Sequence, residues 1–352
     1  MTYKETVLCI GKLLRVSDSS LHRVEIRAAI EDGKIDWEKI VQLSTQHYVL
    51  PAIYGNLKRA SLDQLLPDDL NAYMSHITQL NRGRNLEIAA QCEEIQDILK
   101  AQDITAIFLK GCGMILQKTF ADPADRMIGD IDLLISEVDV HEATNILQNK
   151  GYEEIKTDQL SMPTERHLPR LVHANRIAAL EIHCDVVRYP YARTYSGESL
   201  FERSFRESGK TFLHLNDQLI LSAAASQIND YSYQKRSFNL KSMYDGYILR
   251  EHGAELPVKI DPKLHKIIIE YVSFSDYILD YTDEDKVDIE TSGYVKYMKR
   301  ILSDDEYRNV ERQKKEHKVF AVSRLLIFPR LVRSKAYRTW ILKRFLAVFK
   351  RN

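Results

Sequence analysis

Apolar residues recur at helical spacing over much of the first hundred positions. Between residues 36 and 100 they fall at intervals of three or four, as at Ile88, Cys92 and Ile95. This period gives a helix one apolar face that can be buried. The pattern therefore predicts a helical region over residues 1–100.

The spacing then changes to that of buried strands. Residues 104–109 and 131–135 are short apolar runs, and each predicts a strand. The first run leads into Lys-Gly-Cys-Gly at residues 110–113. Residues 114–120 predict a short helix that follows this glycine turn.

After the second run, the chain predicts a helix, a strand and a hairpin. Residues 136–139 have the pattern of a capping box, and Gly151 is a natural C-terminal cap. Residues 152–155 predict a short strand, and residues 168–173 and 177–187 predict the two arms of a hairpin.

Helical periodicity returns from about residue 215. We therefore expect three regions, which are helices over residues 1–100, an α/β core of mixed strands over 101–200, and a C-terminal helical region with a basic tail over 201–352.

Charge is balanced overall but not along the chain. The 352 residues include 50 basic and 50 acidic ones, yet residues 307–352 hold 14 basic and two acidic residues. This tail is +12, and residues 1–306 are −12. Such a tail meets a nucleic acid, an anionic membrane face or the acidic body itself. Residues 319–328 and 331–349 predict two helices separated by Pro329, the second of them basic and amphipathic.

Composition restricts the cellular location. No run of about 18–20 apolar residues predicts a membrane span, and the N-terminus does not resemble a signal sequence. The four cysteines lie far apart without a C-x-x-C pair, so neither a zinc site nor a disulfide framework is indicated. We expect a soluble cytoplasmic protein, with peripheral contact to the inner membrane face left open by the tail.

Two acids mark the start of the second predicted strand. Asp130 and Asp132 are two residues apart, so they lie on one face. Carboxylates this close repel one another unless a divalent cation such as Mg²⁺ neutralises them. The alternative is a solvated strand end with two unrelated acids.

A third acid lies on the second arm of the hairpin. Glu181 shares a face with His183 and Asp185, while apolar residues occupy the other face. One carboxylate on a neighbouring strand would complete a two-metal site. A half-exposed strand shows the same alternation, and His183 would either orient the site or be a structural histidine.

The glycine turn is a candidate phosphate site. Gly111 and Gly113 let the backbone approach a ligand closely, and free N–H groups at the start of a helix suit a phosphate. Lys110 and Arg126 would add positive charge. The alternatives are a plain strand-to-helix turn, a solvated lysine and a surface arginine.

The order of these elements resembles a known family. The residues that carry the resemblance are Asp36-Trp37, His47, Pro51, Arg84-Asn85, Phe108-Leu109-Lys110-Gly111, Arg126, Asp130-Ile131-Asp132-Leu133-Leu134, Gly151-Tyr152, His167 and Glu181-Ile182-His183. Over roughly residues 36–250, the chain resembles the uncharacterised nucleotidyltransferase family of bacteria, a branch of the polymerase-β-like superfamily. The resemblance implies an α+β fold, with a small mixed-sheet nucleotidyltransferase core flanked by N- and C-terminal helical regions.

The resemblance also implies a reaction. The residues implied to hold the triphosphate of an NTP are Lys110, Gly111, Cys112, Gly113 and Arg126, with Cys112 in place of the more usual Ser or Gly. Asp130, Asp132 and Glu181 would hold two Mg²⁺ ions, and Glu181 would otherwise take a proton from the acceptor. The resemblance implies that a nucleoside monophosphate moves to a hydroxyl of an unidentified acceptor near the C-terminal helices, and that pyrophosphate leaves. Asp245 lies in this region, where it would face the acceptor or be a structural acid at the N-terminus of a helix.

Two other functions stay open. A protein of nucleotidyltransferase ancestry could bind a nucleotide or a partner protein without turnover, as in a toxin–antitoxin-like pair, although retention of all three acids argues against this. Arg312 and His317 match an R-x4-6-H ribonuclease motif. Such a match is expected by chance in a lysine-rich stretch.

Overall fold

Helices form the N-terminal part of the chain. The computed structural model describes residues 1–155, 166–256, 260–281, 292–325, 338–339 and 341–342. The first helices are α1 (Tyr3–Leu13), α2 (Ser20–Glu31), α3 (Trp37–Gln46), α4 (Leu50–Arg59) and α5 (Asp68–Lys100). Thr2, Ser19 and Asp36 cap three of them by accepting a backbone N–H of the first turn. The 33 residues of α5 span about 50 Å and reach from these helices to the sheet.

A mixed sheet lies at the centre of the fold. Its strands are β1 (Ile107–Phe108), β2 (Ile131–Leu134), β3 (Tyr152–Glu154), β4 (Leu171–His173), β5 (Leu180–His183), β6 (Phe205–Glu207) and β7 (Lys210–Phe212). The order is β3-β4-β5-β2-β1-β7-β6, with β2–β5 and β1–β7 parallel and the other pairs antiparallel. The predicted α+β fold is confirmed. The β6–β7 hairpin was not predicted, because strands of three residues give too short a pattern.

Two short helices connect the central strands. They are α6 (Lys110–Leu116) after β1 and α7 (Val140–Asn149) after β2. Ser136 accepts the N–H of Asp139, as the capping pattern predicts, and Gly151 ends the connection with a φ of +94°.

The predicted position of the first short helix, residues 114–120, was wrong. α6 begins at Lys110, so Gly111 and Gly113 lie within the helix and not in a turn before it. The left-handed backbone, with a φ of +51°, belongs to Lys110. Gly113 is required by close approach, because a Cβ there would lie 2.3 Å from the carbonyl oxygen of Phe108.

Helices again dominate the rest of the chain, as predicted. They are α8 (Gly197–Arg203), α9 (Leu215–Ala224), α10 (Ser232–Lys235), α11 (Leu240–Glu251), α12 (Pro262–Leu279), α13 (Gly293–Ser303) and α14 (Asp305–Leu325). A π-helical turn, Ala225–Asn229, continues α9.

Two hydrophobic cores hold these layers together. The larger core includes Leu57 of α4, Tyr244 of α11 and Phe274 of α12. The smaller core includes Cys92 of α5 and Leu133 of β2. Because residues from both ends of the chain build the larger core, the two helical regions are packed against each other.

The basic tail begins within α14. This helix covers residues 319–325 of the first predicted tail helix, and the rest of that helix lies outside the described residues. The second predicted tail helix, residues 331–349, also lies outside them except for four residues. Among the described helices, none is long and apolar enough to cross a membrane.

We expect Gly113→Ala to lower the free energy of unfolding. The new methyl group would meet a backbone oxygen, which cannot turn aside as a side chain can, so α6 must move away from β1. Overpacking of this kind costs about 1–3 kcal/mol. Urea denaturation measures the change.

Gly83→Ala is the matched control. Gly83 lies inside α5, and no atom lies within 4 Å of the position of its Cβ. This substitution should raise the free energy of unfolding by about 0.4–1 kcal/mol. Equal stabilities of the two variants would contradict the expectation.

Candidate active site

Three acidic side chains meet where β2 and β5 pair. The parallel register places Asp132 directly opposite Glu181, and neighbouring strands lie about 4.8 Å apart. Asp130 comes two residues before Asp132, on the same face. The structure therefore brings together the three acids that the sequence singled out. Asp185 lies beyond β5 and accepts the N–H of Gly197 at 2.9 Å.

Asp132 is held by two nitrogen atoms. Lys110 Nζ lies 2.5 Å from Asp132 Oδ1, and His183 Nε2 lies 2.9 Å from the same oxygen. His183 Nε2 also lies 3.6 Å from Glu181 Oε2. Lys110 reaches this position from the left-handed first residue of α6, and His183 from the last residue of β5. His183 is thus in contact with two of the three acids.

These contacts separate the pKa values of the acids. Burial opposes ionisation of Asp132, but the charge of Lys110 and the hydrogen bond from His183 outweigh it and hold the pKa of Asp132 well below its usual range. Burial also opposes ionisation of Glu181, whose hydrogen bonds lower its pKa to about 2. The pKa of Asp130 is raised by burial and by the charges of Asp132 and Glu181.

Arg170 is a site residue that sequence analysis missed. Its Nη2 donates to Asp130 Oδ2 at 2.9 Å, and its Nε donates to Glu181 Oε1 at 3.0 Å. Leu171 pairs with Leu180, so the next pair in this register is Arg170 with Glu181. A two-residue hairpin turn alone would have placed Arg170 opposite residue 179, and a bend at residues 177–178 shifts the pairing by two. Only the hairpin prediction could have pointed to this neighbour.

The glycine segment divides between the site and the interior. Lys110 and Gly111 line the cavity described below. Cys112 is buried, with its Sγ 3.6 Å from the carbonyl oxygen of Asp130. Gly113 is buried against Phe108. Of this segment, the residues that face the cavity are therefore Lys110 and Gly111.

Arg126 is buried and not on a solvated surface loop. It is 6% exposed, and its Nε and Nη2 donate to the two carboxylate oxygens of Asp245 on α11 at 2.6 and 2.8 Å. Two amides of α5 donate to the backbone carbonyl of Arg126, from Asn85 at 2.6 Å and from Asn81 at 3.3 Å. The bidentate ion pair between Arg126 and Asp245 joins the loop before β2 to the C-terminal helices.

A cavity of about 380 Å³ lies between the sheet and the C-terminal helices. The three acids, Lys110 and Arg126 line one side of it. The polar side chains on the opposite wall are Ser222, Ser226, Asn229, Asp230, Asn239, Lys241, Ser242 and Asp245. The positive charge of Arg126 and burial lower the pKa of Lys241 to about 8. A cavity of this size and polarity suits a small charged ligand.

The donor atoms of the site fit a divalent cation. Asp132, Glu181 and His183 each offer one ligand atom, and these atoms lie within 4.8 Å of one another. With Asp130 on the same face, most donors are carboxylate oxygens, which Mg²⁺ prefers.

Comparison with known proteins gives one match. The model of a family described as uncharacterised nucleotidyltransferase matches residues 33–257, more than half of the chain. The matched segment includes every residue of the site from Lys110 to Asp245. Searches of curated proteins and of solved structures gave no match.

We expect Asp132→Asn and Asp130→Asn to change the stability of the metal-free protein differently. Asp132→Asn removes the carboxylate that Lys110 and His183 both contact and leaves the charge of Lys110 without its partner, and breaking a buried pair costs about 3 kcal/mol. Asp130→Asn removes a carboxylate whose raised pKa means that its charge is unfavourable in the folded state. Its ion pair with Arg170 is half exposed and adds little.

Thermal denaturation in EDTA at pH 7 measures both changes. The melting temperature should fall for Asp132→Asn and stay equal or rise for Asp130→Asn. Because the pKa of Asp132 is lowered on folding, its contribution is present above its unfolded pKa of about 4 and is lost as the pH falls below that value. A similar fall in both variants would contradict this account.

We expect the Arg126–Asp245 pair to show strong coupling. Asp245→Leu leaves a buried guanidinium uncompensated, which costs about 3–5 kcal/mol, whereas the double variant Arg126→Met with Asp245→Leu should recover most of that loss. A double-mutant cycle by urea denaturation measures the coupling. Arg82→Met removes one partner of the more exposed Arg82–Asp122 pair and is the control, with a cost of about 0–1 kcal/mol. Additive losses at Arg126 and Asp245 would sink the expectation.

Proposed function

This chain belongs to the uncharacterised nucleotidyltransferase family, and on that premise we propose that it transfers a nucleoside monophosphate from an NTP to a hydroxyl group in a Mg²⁺-dependent reaction. The observation that carries the proposal is the alignment of Asp132 with Glu181 across the parallel β2–β5 pair, with Asp130 beside them. These acids face a polar cavity that is also lined by lysine and arginine side chains.

Asp130, Asp132 and Glu181 are the residues proposed to hold Mg²⁺, as one or two ions. When bound, divalent ions would neutralise the phosphates and activate the acceptor hydroxyl. Lys110 and His183 keep Asp132 ionised and fix its orientation through Oδ1. Arg170 bridges Asp130 and Glu181 and keeps the two carboxylates together.

The triphosphate is proposed to lie along Lys110 and Gly111, opposite Lys241. Lys110 and Lys241 line the cavity from opposite sides and would offset the phosphate charge. Because Gly111 has no side chain, the phosphates would approach its backbone closely. A Cβ at this position would lie 3.1 Å from the side chain of Ile128. Arg126 adds positive charge at the same wall, while its hydrogen bonds go to Asp245. Cys112 and Gly113, which are buried, would contribute to the packing of α6 against the sheet and would not contact the triphosphate.

The proposed reaction is a direct transfer that needs no covalent enzyme intermediate. The acceptor oxygen attacks the α-phosphorus, and a new oxygen–phosphorus bond forms. The bond between the α-phosphorus and the bridging oxygen breaks, and pyrophosphate leaves with its electron pair. The proton of the acceptor hydroxyl passes to Glu181 or to water. The chain contributes positioning and charge, which are the main needs of phosphoryl chemistry.

A second candidate is a protein that binds a nucleotide or partner without turnover. Its support is that each of the three acids already contacts a cationic side chain, Lys110, His183 or Arg170. Such a site is neutralised without a metal. Mg²⁺-dependent release of pyrophosphate separates the two candidates.

The described start of the tail supports a structural role for it. The guanidinium of Arg308 lies 3.9 Å from the ring centroid of Tyr3, and Tyr297 donates a hydrogen bond to Glu311. We also propose that the protein is cytoplasmic and that the remaining tail contacts an anionic surface. Arg312 of the ribonuclease-like motif donates to Glu316 on exposed α14, which supports a chance match.

We expect Asp130→Asn and Asp132→Asn to abolish pyrophosphate release. Each removes charge needed to hold Mg²⁺. Glu181→Gln should lose at least a hundredfold in rate but still bind NTP, because Glu181 serves the attacking hydroxyl more than the triphosphate. Glu142→Gln, on the exposed face of α7, is the control and should keep wild-type turnover.

The assay incubates the full-length protein with Mg²⁺, each α-labelled NTP in turn and a cell lysate, and it follows both pyrophosphate and labelled product. Label transfer that disappears in EDTA and in the aspartate variants supports the proposal. Wild-type turnover in both aspartate variants would overturn it. NTP binding without label transfer would favour the second candidate.

A further inference from the structure

Two arginines around the end of β5, Arg166 and Arg188, have no role in the reaction described above. Arg166 lines the cavity, and its backbone carbonyl accepts the N–H of Cys184, just beyond β5, at 3.0 Å. Arg188 lies after Cys184 on the segment that leaves β5, and its backbone N–H donates to Oδ1 of Asn229 in the π-helical turn at 3.1 Å. The two residues therefore lie where β5 meets the C-terminal wall of the cavity.

Neither guanidinium forms a salt bridge with a carboxylate of the described residues. Arg126 and Arg170, which line the cavity together with Arg166, do form such pairs, since Arg126 pairs with Asp245 and Arg170 with two acids. Within the described chain, the Nε of Arg188 is buried and has no hydrogen-bond partner. Its Nη1 donates to the hydroxyl of Tyr231 at 2.9 Å, and its Cζ lies 4.6 Å from the centroid of that ring.

The acids around this pair act on it only from beyond salt-bridge distance. Burial and the positive charge of Arg188 lower the pKa of Arg166, although Glu181, Asp132 and Asp230 oppose this. Asp230 also lines the cavity, and burial raises the pKa of its carboxyl, although the charges of Lys110, Arg166 and Arg188 oppose this. Two like charges with a buried unsatisfied donor cost free energy in a folded protein unless an anion compensates them.

We infer that Arg166 and Arg188 bind a phosphate group carried by the acceptor, so that the substrate of the transfer is a hydroxyl compound bearing a phosphomonoester. The planar guanidinium fits two phosphate oxygens at once, which a lysine cannot do. Tyr231 stacks on Arg188 and fixes the plane of that group.

The position of the pair favours the acceptor over the NTP. This step depends on the proposed function, in which the triphosphate lies along Lys110 and Gly111 opposite Lys241. Arg166 lies on the side of β5 and Glu181, where the acceptor hydroxyl would lose its proton. A phosphate held there would place the acceptor for attack.

The test is calorimetric titration of the metal-free, full-length protein with inorganic phosphate. Arg166→Gln and Arg188→Gln should each raise the Kd for phosphate at least tenfold, with melting temperatures close to that of the wild type. Arg166→Lys keeps the charge without the planar fork and should weaken binding about threefold or more, which tests the site if a glutamine variant does not fold. Arg27→Gln, on the exposed face of α2, is the charge-matched control and should leave Kd unchanged.

A second titration, with Mg²⁺ and a non-hydrolysable ATP analogue present in excess, identifies the source of the phosphate group. Phosphate should still bind, because the analogue occupies the other end of the cavity. The inference is wrong if the analogue displaces phosphate, if Lys241→Gln removes binding and Arg166→Gln does not, or if Arg27→Gln weakens binding equally. These results are independent of label transfer, so the loss of one proposal leaves the other measurable.

Discussion

A buried ion pair between Arg126 and Asp245 is the contact on which the geometry of the site depends. It fastens the loop before β2 to α11, and α5 braces the same loop through amide hydrogen bonds from Asn81 and Asn85. A buried pair of this kind is costly to form and costlier to break. Its effect here is geometric, because it fixes the distance between the acids of the sheet and the polar wall of the C-terminal helices.

Once that distance is fixed, the cavity has to accommodate many ionisable groups in a small space. Lys110 and His183 contact Asp132, and Arg170 contacts Asp130 and Glu181. Arg126 pairs with Asp245. Low dielectric strengthens each of these contacts and also raises the cost of any group left over. These contacts fix the side chains of the site relative to one another, which is the arrangement that electrostatic preorganisation requires.

Much of this arrangement follows from local sequence patterns. The period of two in β2 predicted that Asp130 and Asp132 share a face, and the hairpin predicted the strand that carries Glu181. The family resemblance implied a small mixed sheet but no strand order, and the register of Asp132 with Glu181 depends on long-range pairing. Arg170 escaped notice because a two-residue bend resets the hairpin register, which sequence periodicity does not record.

The start of α6 and the state of Arg126 were missed for different physical reasons. The two glycines were interpreted as a turn before the helix, whereas α6 begins at Lys110, which adopts the positive φ, and Gly113 serves close packing. Arg126 lies in a polar loop, and polar loops are usually solvated. Only the tertiary fold brings a carboxylate from residue 245 to bury it. Contacts between distant segments are thus where local reasoning stops.

The left-handed backbone of Lys110 has an evolutionary consequence. A non-glycine residue in this conformation costs roughly 1 kcal/mol, which glycine or asparagine at the same position would avoid. Glycine or asparagine would also leave buried Asp132 without its lysine, however, and breaking such a pair costs about 3 kcal/mol. Lysine is therefore the more stable choice as long as position 132 is acidic, so the residues at 110 and 132 are expected to change together in evolution.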